Sequence, residues 1–88
     1  MTGFLGMDIQ AIRTLATQLT TASSDITQHA NQINNALSSA QWTGTDASAF
    51  RSDWGTHYQN LNTIAQALHD ASQAASKNAD QQEQASGS

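Results

Sequence analysis

Apolar side chains return every seventh residue through the first half of the chain, at Ile12, Leu19, Ile26, Ile33 and Ala40. Between them fall Leu15/Ala16, Ala22, His29/Ala30 and Ala36/Leu37. Two interleaved seven-residue series lay a single apolar seam along an α-helix. Asp8 offers a capping carboxylate at its start, with Met7 and Ile12 spaced as a hydrophobic staple. The pattern predicts a helix over about 8–40. It then repeats at Ala47, Trp54, Leu61, Leu68 and Ala75, with Phe50, His57/Tyr58, Ile64/Ala65 and Ala71 between. Thr45 or Asp46 is placed to cap this second helix, which is predicted over about 46–79. A flexible tail over 80–88 follows, where the apolar series lapses.

Only residues 41–45 separate the two predicted helices, and a connection that short forces them antiparallel. Facing layers then have residue numbers adding to about 87: Leu37 with Phe50, Ile33 with Trp54, Ile26 with Leu61, Leu19 with Leu68, Ile12 with Ala75. Both seams fall on each other in this register. The predicted fold is all-α, a single antiparallel helical hairpin domain over 1–88.

Composition changes what the hairpin must do next. Hydrophobic residues are 38% of the chain, and nearly half of them are Ala. A chain of this size buries too little of its own surface to be comfortable alone. Each helix would meet one neighbour only, which leaves flanking apolar positions wet. Pairing two hairpins into a four-helix bundle dimer is the ordinary solution. The aromatic residues gather at the turn end (Trp42, Phe50, Trp54, Tyr58), and the N-terminal arm carries Phe4 and Leu5. If hairpins pair antiparallel, Phe4 and Leu5 contact the partner near Trp42 or Trp54. The expected interface therefore draws on Phe4, Leu5, Ile12, Leu19, Ile26, Ile33, Phe50, Trp54, Tyr58, Leu61 and Leu68.

A net charge of −4 with three basic residues (Arg13, Arg51, Lys77) argues against nucleic acid or an anionic membrane as partner. No apolar run reaches transmembrane length, and the first residues carry neither a basic segment nor an apolar stretch of the signal-peptide kind. With no Cys, disulfides, zinc–thiolate sites and thiol nucleophiles are all excluded.

Nothing in the residues assembles an enzyme. The acids are scattered singly (Asp8, Asp25, Asp46, Asp53, Asp70, Asp80, Glu83), so no pair shares an apolar surface for acid–base work. Glycine-rich phosphate loops are absent. His29 and His57 occupy inward-leaning positions and could face each other across the hairpin, as a polar layer that sets register or as an acid-sensitive pair. Their neighbours Ile26, Ile33, Leu61 and Ile64 are not metal ligands, so neither a metal nor another cofactor is expected. His69 should be solvated.

Trp42-Thr43-Gly44 stands halfway along the chain, between two long Ala- and Gln-rich helices. Gly supplies the backbone freedom a reversal needs, and Trp brings a large ring with one donor. In these features the chain resembles the WXG family, the ESAT-like substrates of type VII secretion systems of actinobacteria and firmicutes. The resemblance spans the whole chain. It implies export as a folded hairpin dimer, with a sister WXG-family protein or with itself, recognised by a secretion ATPase. The protein would be cytoplasmic before export and secreted without a cleavable signal peptide. Family members commonly carry a Tyr-x-x-x-Asp/Glu signal after the second helix. Here the corresponding stretch is degenerate, with Asp80 in the acidic place but Ser76 in place of the tyrosine, which tilts the reading toward a subunit that travels on its partner's signal. The alternative is a cytoplasmic structural coiled-coil module with no secretion role.

Overall fold

The computed structural model describes residues 8–87, with side chains through residue 85. Two long helices in contact account for almost all of it, and no strand occurs among the described residues. Helix α1 spans Ile9–Ser39 and helix α2 spans Thr45–Gly87. They form a hairpin with a longest Cα extent of 65 Å and a cross-section of 16 × 16 Å. Met7, Phe4 and Leu5, proposed above for a staple and for partner contacts, lie outside the described residues.

The start of α1 has a defined cap. Asp8 is extended (φ −77°, ψ 103°), and its Oδ1 accepts the Ala11 N–H at 3.1 Å. That satisfies one of the donors a helix start leaves without an intrahelical partner. At the other end Ala40 leaves the helix (φ −70°, ψ 133°) while its N–H still donates to Ala36 O at 3.0 Å.

Gly44 makes the re-entry into α2. Its φ of +109° lies in a region that side-chain-bearing residues rarely adopt. Its carbonyl accepts the Ser48 N–H at 3.0 Å. Thr45 and Asp46 therefore lie inside the first turn rather than capping it, and Asp46 there complements the helix dipole.

The seam is narrower than the apolar pattern suggests. The side chains it encloses are small: Ala16, Ala30, Ala47, Ala65 and Ala79, with Ser72 the one buried polar residue among the described residues. Serine fits because it donates across the seam. Ser72 Oγ bonds Ala16 O at 2.9 Å, and Ser23 Oγ bonds Ala65 O at 2.6 Å. With its proton committed to Ala16, Ser72 Oγ accepts from the Thr20 hydroxyl. Residue numbers in both serine bonds add to 88, as do those of Trp54 Nε1 bonding Asn34 Oδ1 at 3.2 Å.

A sum of 88 agrees with the expected register of about 87, but at some layers the neighbouring residue faces the seam. Arg51 faces Leu37 where Phe50 was expected, and Ser23 and Ser72 occupy the seam where Ala22 and Ala71 were expected. Phe50 is left 49% exposed. The larger aliphatics of the pattern (Ile12, Leu19, Ile26, Leu61, Leu68) are half-buried, and among the described residues no large side chain is fully buried.

Helix α2 continues past Ala79, so the tail expected over 80–88 is helical through Gly87. Arg13 holds it against α1, with Nη1 2.9 Å from Asp80 Oδ1 and Nη2 3.0 Å from Glu83 Oε2. Its hydrogen bond to Glu83, and then that to Asp80, pushes the guanidinium further above its already high range, so it stays charged at any working pH.

Gly55 offers a check on the helical backbone. It sits within α2 with open space where a Cβ would project. Gly55→Ala should stabilise the protein by about 0.5–1 kcal/mol in urea titration, since only the entropy of the unfolded chain changes. A loss of stability would mean that something packs on this position.

Candidate functional site

The two lateral sides of the hairpin differ. In an antiparallel pair, the residues that follow Ile12, Leu19, Ile26 and Ile33 share one side with those that follow Trp54, Leu61, Leu68 and Ala75. The residues that precede Ala16, Ser23, Ala30 and Leu37 share the other with those that precede Arg51, Tyr58, Ala65 and Ser72. The first side takes Arg13, Thr20, Thr27 and Asn34 from α1 and Gly55, Asn62, His69, Ser76 and Glu83 from α2. It is polar, and the Arg13–Glu83 pair and the Trp54–Asn34 bond cross it.

The second side takes Leu15, Ala22, His29 and Ala36 from α1, and Phe50, His57, Ile64 and Ala71 from α2. Three of the chain's large exposed hydrophobics lie here: Leu15 at 44%, Phe50 at 49% and Ile64 at 48%. Apart from its two imidazoles the stripe has no ionisable group. Single exposed apolar residues need no explanation; this side groups three of them along the rod, with the two imidazoles between.

At the connection the stripe meets an aromatic knob. The Trp42 and Phe50 rings pack tilted, with centroids 5.4 Å apart, while Trp42 remains 41% exposed. The backbone beneath is held by Arg51, whose Nη1 donates to Trp42 O at 2.7 Å and whose Nη2 reaches Leu37 O and Ala40 O at 3.3 Å each. Ala40 O and Trp42 O lie past the last turn of α1, beyond its intrahelical donors, while Leu37 O also accepts the Ala40 N–H at 3.4 Å. Since α1 has no basic residue in its own last turn, α2 supplies the cation that the C-terminal dipole favours.

Trp54 and Tyr58 take a different place from Phe50. They are half-buried, their ring centroids lie 6.1 Å apart, and Tyr58 OH donates to Asn31 Oδ1 at 2.6 Å. They tie the two helices together instead of projecting from them.

His29 and His57 do not lean inward. Both are exposed on the apolar side, and neither imidazole has a hydrogen bond or ion pair. Each has an aspartate one turn earlier on its own helix, Asp25 before His29 and Asp53 before His57. Among the described residues no three such side chains converge as a metal site. His69 is solvent-exposed, with its Nε2 3.2 Å from Gln73 Nε2.

Ser76 and Asp80 both lie within α2 rather than after it. Ser76 lines a shallow cleft of about 200 Å³ with Ala16, Thr17, Thr20, Thr21 and Ser72. That lining has hydroxyls but no titratable group, so it holds no acid, base or activated nucleophile. Asp80 is engaged by Arg13. No helix of the described residues is long and apolar enough to cross a membrane.

Comparison of the chain with family models, with curated proteins and with solved structures returned no match.

Proposed function

We propose that this protein acts by association and not by chemistry, as a small ESAT-like substrate of a type VII secretion system. In this reading it pairs as a hairpin with a sister chain or with itself, completes a four-helix bundle, and leaves the cell folded. The observation that carries the reading is the one-sided apolar stripe ending at the Trp42–Phe50 knob. Burying the exposed halves of Leu15, Phe50 and Ile64 is worth about 1 kcal/mol each, a driving force that the single hairpin leaves unused.

The Trp42-Thr43-Gly44 turn is the second support. Gly44 permits the reversal, and Arg51 fixes the carbonyls around it. Trp42 is thereby held outward on a rigid frame, as a recognition element for a partner or a secretion ATPase requires. Because the ring is 41% exposed, its removal should cost little folding energy. In a host with an active type VII system, Trp42→Arg should therefore lose export while keeping its helical circular dichroism. Equal export of parent and variant would leave the structural coiled-coil module as the better reading.

A further inference from the structure

Independently of that reading, we infer that the end of α2 from Asp80 to Gly87 is a strap, fastened to α1 by Arg13, that opens and closes with ionic strength while the rest of the hairpin stays folded.

Apolar burial does not hold this segment. The seam ends at Ala79, which is fully enclosed, and a facing sum of 88 sets Ala79 against Ile9, the first residue of α1. From Asp80 onward α2 has run past α1. Its sequence there, Asp-Gln-Gln-Glu-Gln-Ala-Ser-Gly, includes no apolar side chain larger than Ala. Both Asp80 and Glu83 are exposed, and Gln82 is only half-buried. Two helical turns without an apolar face to pack are marginal in water.

Charge supplies the fastening. Arg13 lies one turn inside α1, and helical side chains lean toward the N-terminus of their helix, which here is toward the overhang. Its two terminal nitrogens take separate carboxylates, Nη1 that of Asp80 at 2.9 Å and Nη2 that of Glu83 at 3.0 Å. The fork therefore ties α1 to residues three apart on the overhang. The same end collects acids. The facing sum puts Asp8 in the layer of Asp80, and Asp8 is fixed there as the cap of α1, its Oδ1 accepting the Ala11 N–H.

No second cation shares the task. Lys77, one turn before Asp80, makes no ion pair, and α2 has no basic residue in its last turn to offset its own C-terminal dipole. With Arg13 in place, one guanidinium neutralises two carboxylates beside a third. Without it the three acids repel one another across the gap between the helices. Both ion pairs are largely open to solvent, so the fastening is weak and salt screens it. A weak tie on a marginal pair of turns opens locally, because the seam up to Ala79 is closed without it.

The test is residue-resolved amide hydrogen exchange of the full chain at pH 7.0, in 20 mM and in 1 M NaCl, where the screening length falls to about 3 Å. In the parent, high salt should lower the protection of amides 82–87 by about two- to five-fold and leave amides 16–72 unchanged. Arg13→Gln in low salt should lower protection over 82–87 by about three- to ten-fold. Added salt should then raise it, because only repulsion among the acids is left to screen. The double variant Asp80→Asn, Glu83→Gln removes both attraction and repulsion, and its protection should not respond to salt. Protection over 82–87 that is the same in Arg13→Gln as in the parent overturns the fastening. Protection lost over both helices together in Arg13→Gln overturns the strap as a unit that opens by itself.

Discussion

Arg51→Met should lower the stability of the hairpin by about 2–3 kcal/mol. The side chain donates to the carbonyls of Leu37, Ala40 and Trp42, closing the end of α1 from the opposite helix. Hydrogen bonds from a charged donor contribute about 1.5–3 kcal/mol each when removal leaves the acceptors without partners. Water reaches part of this site, so the three bonds do not add fully. Met retains the aliphatic contact and removes only the fork of donors. Arg51→Lys should recover less than half of the loss, because one ammonium cannot span three carbonyls as a planar guanidinium does. Urea titration followed by circular dichroism, at a fixed protein concentration, reads the difference. A loss under about 0.5 kcal/mol would mean that water satisfies the carbonyls equally well.

Ile64→Asp should break association while leaving the hairpin folded. Ile64 is 48% exposed in the single hairpin, so the change removes little from the α1–α2 seam. In the paired state the same position would hold a carboxylate against an apolar neighbour, and an unpaired charge there costs several kcal/mol. The dissociation constant should rise by more than about 100-fold. Asn62→Asp, on the polar side, introduces the same charge where no partner is expected and should change it little. Sedimentation velocity at pH 7.5 with parallel circular dichroism distinguishes the two variants. If Asn62→Asp disrupts pairing and Ile64→Asp does not, the docking side has been assigned to the wrong face.

Two helices, their antiparallel contact and a connection near Trp42 were legible from seven-residue periodicity alone. What periodicity could not resolve was which of two adjacent residues faces the seam. Phe50 and Arg51, Ala22 and Ser23, and Ala71 and Ser72 are adjacent, and either member of each pair suits a 3.5-residue repeat. The apolar member is the obvious choice if a seam is imagined as hydrophobic. This seam selects smallness and a donor for the facing backbone, and serine supplies both. That choice sends Phe50 outward and gives the hairpin its apolar side.

Arg51 was read only as one of three cations. The available signal was the absence of any basic residue in the last turn of α1, with an arginine soon after the reversal. The end of α2 was placed too early because no large apolar residue follows Ala79. An ion pair from Arg13, at the other end of the sequence, holds those turns to α1. Local pattern carries no information about a contact between residues 70 positions apart.

The central claim, that the hairpin exists to be paired through its apolar side, is tested most directly by the mass of the pure protein in solution. Sedimentation equilibrium at pH 7.5, over protein concentrations from about 1 to 100 μM, spans the affinities expected for an interface of this size. The account predicts twice the 9.4 kDa chain mass across the upper part of that range. A constant 9.4 kDa throughout, from a protein that remains helical, would contradict it.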